Sequence, residues 1–187
     1  VALDPPRATV AHLRQEPGCR LGETLRGRLA RLTGVAAAER ELEAAAAALA
    51  RDADDTRGDS TPTWSDRYDA ALARFLALGG GDLDARAAAT CARIGLGVDL
   101  DRLFDGLSGG EAARASLAAV LLVKADLLLL DEPTNDLDAG GLAQLEAFVA
   151  GFPGAIVLVS HDRAFLDRTV GRIAEIDARS HGIVEWA

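Results

Sequence analysis

Two short apolar runs, each followed at once by polar residues, constrain the fold of this chain more than any other feature. Residues 127–130 (LLLL) precede Asp131 and Glu132, and residues 155–159 (AIVLV) precede a Ser-His-Asp triplet. Neither run carries a charge, and a stretch with helical periodicity separates them. Strands that are apolar on both faces and alternate with helices are typical of a parallel sheet covered by helices. The sequence therefore predicts an α/β fold with a parallel sheet core.

Composition divides the chain into three zones. Residues 1–24 mix prolines with a β-compatible stretch at 9–13, residues 25–106 are rich in Ala and Arg and helical in pattern, and residues 107–187 alternate helix and strand. We interpret these zones as part of a sheet core, a helical subdomain with an arm-like insertion over about 36–90, and the rest of the core. The predicted helices are 24–33, 36–51, 65–78, 83–95, 112–123, 140–150 and 163–169, and two further strands are expected near 172–177 and 182–186.

Polar side chains with catalytic potential follow both apolar runs. Asp131 and Glu132 are placed at the carboxyl end of a strand, where open α/β sheets bind ligands. Adjacent carboxylates repel each other unless a metal or a proton separates them. One of the pair could therefore bind Mg²⁺, and the other could act as the general base that activates a water molecule. The alternative is that they only cap the next helix from solvent. His161 follows the second run at the same predicted edge, either as part of this site or as a structural histidine.

A third candidate feature is the stretch LSGGE at residues 107–111. Ser108 and Glu111 have the spacing of a capping box, which needs no ligand. Gly109 and Gly110 are poor residues for starting a helix, but they would let a phosphate approach the N–H groups at a helix terminus. Both interpretations, capping and anion binding, are open at this point.

Charge and composition exclude several classes of function. The chain has a net charge of −9 and one lysine, Lys124, which disfavours its surface as a nucleic-acid binder in its own right. Cys19 and Cys91 have neither C-x-x-C spacing nor a paired histidine, so no disulfide framework or zinc site is predicted. No apolar run approaches the ~20 residues that span a bilayer. A cytoplasmic setting without direct membrane insertion is expected.

Taken together, these motifs resemble those of an ATP-binding cassette (ABC) ATPase. The order is LSGGE, Arg114, LLLLDEPTNDLD and VSHDRAFLD, which are similar to the signature motif, Walker B motif, D-loop and switch histidine of that family. The form of the last two motifs most resembles the ABC-F group, soluble ATPases with two cassettes in one chain that act on the ribosome or in antibiotic resistance. Gln15, in the stretch LRQEP, resembles the Q-loop glutamine.

The resemblance implies a role for each matching residue. Asp131 would hold Mg²⁺, Glu132 would polarise the attacking water, His161 would contact the γ-phosphate of ATP, and Gln15 would contact Mg²⁺ or the water. The signature residues would act in trans on ATP bound by a second cassette, present in the same chain or in a dimer, and the D-loop would lie across the interface between the cassettes. The residues expected to contact nucleotide or line that interface are Ser108, Gly109, Gly110, Glu111 and Asp138.

One element of the family pattern does not occur in the sequence. No stretch fits the phosphate-binding pattern G-x-x-x-x-G-K-[ST], because Lys124 has no glycines before it and the triple glycine at 79–81 is followed by Asp82. We therefore expect a cassette truncated at its N-terminal side, which alone neither binds ATP tightly nor hydrolyses it. Two alternatives to the ABC-F interpretation are the cytosolic cassette of a transporter and a non-catalytic interaction module.

Overall fold

The central sheet of the computed structural model has three parallel strands, and the description covers residues 8–13, 18, 20–51, 63–176 and 182–186. The strands are β1 (Val10–Leu13), β2 (Leu127–Asp131) and β3 (Ala155–Val159), in the order β1-β2-β3. Val10 pairs with Leu127, and Leu127 in turn pairs with Ala155. This arrangement confirms the predicted parallel α/β core. Gln15 lies outside the described residues.

Seven α-helices surround or extend this sheet within the described ranges. They are α1 (Leu25–Leu32), α2 (Val35–Arg51), α3 (Trp64–Ala77), α4 (Leu83–Arg93), α5 (Gly109–Leu122), α6 (Ala139–Gly151) and α7 (Arg163–Thr169). Short 3₁₀ turns occur at Gly80–Asp82 and Phe104–Gly106, and β4 (Ile173–Ile176) pairs with β5 (Ile183–Trp186) as an antiparallel hairpin. In this part of the chain, no helix has the length and apolar character needed to cross a bilayer.

Helix α5 packs against the sheet on one side and against helices α1 and α4 on the other. Ala115, Ala118 and Ala119 pack in a cluster with α1 and α4, whereas Leu117 and Val120 pack against the sheet. The small alanine side chains let α1 and α4 approach α5 closely, and each buried Leu or Val contributes about 1.5–3 kcal/mol of hydrophobic stabilisation. Helix α5 therefore contacts both the sheet and the helices α1 and α4.

The α2–α3 hairpin extends away from this core. Only Val35 and Ala38 of α2 are buried, because most of the apolar residues of this helix are alanines that cover little area. The hairpin is joined by packing between the two helices and by an ion pair between Arg74 Nη1 and Glu41 Oε2 at 2.9 Å. In contrast, Ala87 and Cys91 of α4 are buried against α1 and α5. The insertion expected over about 36–90 thus contains both an extended hairpin and a core helix.

The start of α5 differs from the prediction of a helix over 112–123. The helix begins at Gly109, three residues earlier, with Ser108 as its N-cap. The low helix propensity of two glycines is outweighed because the capping box satisfies otherwise unpaired N–H groups and the later residues of the helix pack on two sides, the alanines against α1 and α4 and Leu117 and Val120 against the sheet.

Candidate functional site

The predicted carboxylates lie at the carboxyl end of the central strand. Asp131 is the last residue of β2 and pairs in register with Val159, the last residue of β3. The next residue, Glu132, donates its N–H to the carbonyl of Val159 at 2.8 Å. Its φ of 48° lies in the left-handed region, which is rare for a residue with a side chain and concentrates at functional sites. Glu132 is thus fixed at the point where the strand ends.

His161 is brought to Glu132 because β2 and β3 are neighbours. Its Nδ1 lies 2.8 Å from Glu132 Oε2, and its backbone N–H donates to the same oxygen at 3.3 Å. The Glu132 side chain is 18% exposed and that of His161 is 73% exposed. An ionised carboxylate only accepts hydrogen bonds, so we assign the proton of the imidazole to Nδ1. The second ring nitrogen, Nε2, remains available to another group.

The loop after Glu132 is held in place by side-chain contacts with the end of β3, with α5 and with α6. Thr134 Oγ1 and Ser160 Oγ are 3.3 Å apart, which ties the loop to the end of β3. Asp136 has a φ of 60°, a second left-handed residue in this loop. Asp138 ends the loop: its Oδ1 caps α6 by accepting from the N–H of Gly141 at 2.7 Å, and its Oδ2 lies 3.5 Å from Arg114 Nη1 on α5. The loop is therefore fixed to three elements.

The residues after β3 also have clear structural roles. The side chain of Asp162 caps α7 by accepting from the N–H of Phe165 at 3.0 Å, and the Phe165 ring is fully buried against the sheet. These contacts hold the turn on which His161 lies, and so account for the Asp and Phe of SHDRAFLD.

The signature stretch forms the capping box predicted from its spacing. Glu111 Oε2 accepts from both the N–H and the hydroxyl of Ser108 at 2.8 Å, while Ser108 Oγ accepts from the N–H of Glu111 at 3.4 Å. These hydrogen bonds, with the nearby charges of Arg102 and Arg114, lower the pKa of Glu111. The Glu111 side chain thus takes part in the N-terminal cap of α5.

A cleft of about 720 Å³ connects the signature helix with the carboxylate edge. Gly109 and Gly110 line one side, and Asp131 and Glu132 line the other. Lys124 lies in a different, largely apolar cleft with Thr9, at the amino end of the sheet. The single lysine is therefore on the opposite side of the molecule from the carboxylates.

The carboxylate edge has the donor set that Mg²⁺ favours. Within the described ranges, no group of three or more His, Cys, Asp or Glu residues is arranged to enclose a metal. Mg²⁺ usually keeps several waters and is held by one or two carboxylates together with phosphate oxygens, so Asp131 and Glu132 fit this ion.

Two residues that line the cleft were not identified from the sequence. Arg28 on α1 and Phe104 before the signature stretch stack on each other, with Arg28 Cζ 3.8 Å from the ring centroid. They are separated by 76 positions in the chain, and neither belongs to a motif. The sequence does place Arg28 on the apolar face of α1, which indicates that this arginine is buried, but nothing in the sequence identifies Phe104 as its partner.

Comparison with known proteins places these motifs in one family. A model of the family described as ABC transporter matches residues 3–135, which contain Gln15, the signature stretch and both carboxylates. The tylosin resistance ATP-binding protein TlrC of Streptomyces fradiae is 40% identical over 149 residues, which are 79% of this chain and 27% of that protein. The energy-dependent translational throttle protein EttA of Escherichia coli K12 is 52% identical over 85 residues, 46% of this chain and 15% of that protein.

Solved structures support the same architecture. The structure described as RNase-L Inhibitor covers 90% of this chain with a TM-score of 0.51 and 20% sequence identity, and this chain covers 25% of it. The 187 residues span less than a third of these relatives.

Proposed function

Because the chain belongs to the ATP-binding cassette family of ATPases, and to its ABC-F group, we propose that the full-length protein hydrolyses ATP at a site that includes the carboxylate edge of this sheet. The observation that carries the proposal is the 2.8 Å contact between Glu132 and His161. It places a half-buried carboxylate and an imidazole side by side, at the edge where parallel sheets bind nucleotides.

In this mechanism each residue has a separate task. Glu132 orients the attacking water and accepts its proton, since its carboxylate is held in place but still lines the cleft. His161 holds that carboxylate through Nδ1–H, and as an imidazolium it also donates Nε2–H to the γ-phosphate. Asp131 holds Mg²⁺, mainly through water. When bound, the ion neutralises charge on the phosphates, which is most of what catalysis of phosphoryl transfer requires. Gln15 completes this set, as the family pattern implies.

The signature residues act on a nucleotide held by a second cassette. Ser108, Gly109 and Gly110 form the N-terminus of a 14-residue helix, where free N–H groups and the helix dipole favour a phosphate. Glu111 shapes this terminus through the capping box rather than by binding ATP directly. Asp138 fixes the D-loop to α5 and α6, and so presents the loop to the interface between cassettes.

The phosphate-binding loop is supplied from outside these 187 residues. Val157 and Val159 of β3 are 56% and 59% exposed, and no described strand pairs with the outer edge of β3. An exposed apolar edge strand invites pairing with another strand, and a strand leading into a phosphate-binding loop fits there. The 187-residue chain alone is accordingly inactive.

The domain organisation follows the same assignment. We assign residues 1–24 and 107–187 to the ATPase core, and residues 25–106 to the helical subdomain. The arm-like insertion is the α2–α3 hairpin, which is the part of the 36–90 region that leaves the core.

The ribosome is the partner we propose, with a role in translation or antibiotic resistance in the cytoplasm. The support is the naming of two relatives, a translational throttle protein and a tylosin resistance protein. Because the net charge is −9, we assign the contact with RNA to other parts of the full-length protein. Co-sedimentation with ribosomes in the presence of ATP tests this step, and failure to co-sediment would exclude it.

The hydrolysis proposal is tested by Glu132→Gln in the full-length protein. Replacing the base should lower turnover of ATP by a factor of about 10²–10⁴ and leave bound ATP trapped. The matched control is Glu146→Gln, since Glu146 is a glutamate of α6 that pairs with Arg168 outside the site. Normal turnover in Glu132→Gln would remove the carboxylate from the reaction.

A further inference from the structure

The start of α1 is joined to the segment that leads into the signature stretch. The N–H of Leu25 donates to Arg102 O at 2.9 Å, the N–H of Arg26 donates to Leu100 O at 2.7 Å, and the N–H of Phe104 donates to Glu23 O at 2.8 Å. Three backbone hydrogen bonds between segments about 75 positions apart hold these two segments side by side, like a pair of short strands.

Arg28 adds a side-chain contact to this junction. Its guanidinium lies over the Phe104 ring at 3.8 Å, and the residue is only 4% exposed. The stack is strong in such a place, because the cation–π attraction increases when the pair is removed from water. Arg28 Nη1 is also 3.7 Å from Glu23 Oε2. The guanidinium thus contacts the Phe104 ring and forms an ion pair with Glu23.

Glu23 remains paired without Arg28. Arg31 binds the Glu23 carboxylate with both Nε and Nη2, at 2.6 and 2.7 Å. Substitution of Arg28 therefore leaves no buried carboxylate without a cation, and the local fold can survive the change.

Phe104 lies four residues before Ser108, the N-cap of α5. It opens the 3₁₀ turn Phe104–Gly106, and the N–H of Leu107 donates to its carbonyl at 3.1 Å. Phe104 therefore lies in the turn that leads into the signature helix. Both Arg28 and Phe104 also line the cleft that contains Gly109 and Glu132.

We propose that Arg28 is a positioning residue for the signature stretch. By stacking on Phe104, it keeps Ser108 and Gly109 in a fixed position relative to α1, the first described helix after Gln15. The inference rests on the proposed function, because it assigns the stack to phosphate contact by the signature residues. A rigid connection at this point preserves the alignment of the N–H groups at the start of α5, and small displacements of such groups strongly reduce catalysis.

The test is steady-state ATP hydrolysis by the full-length protein carrying Arg28→Met, Phe104→Leu or both. Met has similar bulk and flexibility but no charge, so it fills the space without the stack. Each single substitution should lower kcat between about tenfold and a hundredfold. KM for ATP should stay within about twofold, because nucleotide binding by the other cassette elements is unaffected. The double variant should be no worse than either single one.

A rescue separates positioning from folding. Phe104→Trp restores an aromatic face for Arg28 and should keep most of the activity, whereas Arg28→Lys, which has no planar group to stack, should not. The matched control is the exposed stack of Arg67 on Trp64 in the hairpin, at 4.6 Å, where Arg67→Met should leave kcat unchanged.

The outcomes also distinguish this inference from the function on which it rests. Normal kcat in Arg28→Met, together with lost turnover in Glu132→Gln, would overturn the role of Arg28 and leave the ATPase proposal intact. Normal turnover in Glu132→Gln would overturn both. A fall in kcat that appears equally in Phe104→Trp would also overturn the role of the stack.

Discussion

The Nδ1 of His161 lies 2.8 Å from Oε2 of Glu132, although the two residues are 29 positions apart in the chain. The contact exists because β2 and β3 are adjacent and parallel and both end at the same edge. It makes the two side chains one functional unit rather than two independent groups.

His161→Ala should therefore lower ATP turnover of the full-length protein by about a hundredfold, since Glu132 loses the shorter of its two hydrogen bonds from this residue and the phosphate loses a contact. Combining it with Glu132→Gln should cost little more than Glu132→Gln alone, because substitutions within one unit are not additive. Steady-state hydrolysis of the four proteins gives the comparison. His12→Ala, an exposed histidine of β1, is the control. Fully additive losses would show that the residues act separately.

The sheet and its carboxylate edge were predictable because the signals are local. A run of apolar residues too short for a helix indicates a buried strand, and a polar residue directly after it must lie at the strand's end. The start of α5 was not predicted because helix propensity argues against Gly109, whereas capping and tertiary packing favour it. The stack of Arg28 on Phe104 depends on bringing residues 23–31 and 99–104 together. No local pattern encodes that pairing.

The contacts of Asp138 predict different effects for two substitutions. Asp138→Ala removes the N-cap of α6 and should lower the free energy of unfolding by about 1 kcal/mol. Asp138→Asn keeps a capping oxygen and loses only the ion pair with Arg114, which contributes little because the Asp138 side chain is 65% exposed. Its cost should be about 0.5 kcal/mol or less. Urea unfolding followed by circular dichroism measures both, and equal losses would contradict the capping role.

Glu23 should make stability depend on pH in the acid range. Hydrogen bonds from Arg31 lower the pKa of Glu23, and burial opposes this only in part. A lowered pKa in the folded state means that the stabilisation is complete above the ordinary glutamate value of about 4.3. It is then lost as the pH falls through the folded-state pKa.

Glu23→Gln should therefore flatten the acid side of the stability curve. At neutral pH it should lower the free energy of unfolding by about 1–3 kcal/mol, because the guanidinium of Arg31 loses its charged partner. Urea midpoints measured between pH 7 and pH 3 give the comparison, with the exposed Glu39→Gln on α2 as control. An unchanged slope on the acid side would mean that the Glu23–Arg31 pair does not contribute to the acid sensitivity of the fold.

The 187-residue chain by itself should not bind Mg-ATP with useful affinity. Asp131 and Glu132 offer negative charge to a nucleotide that is itself negative, and Lys124 lies at the other end of the sheet. Without a loop of N–H groups and a lysine, the remaining contacts are too few to offset the loss of freedom on binding. Calorimetric titration should show no saturable heat up to about 1 mM ATP, equivalent to about 4 kcal/mol of binding free energy. Circular dichroism confirms that the protein is folded, and the full-length protein is the positive control. Micromolar affinity in the chain alone would show that its own residues hold the phosphates.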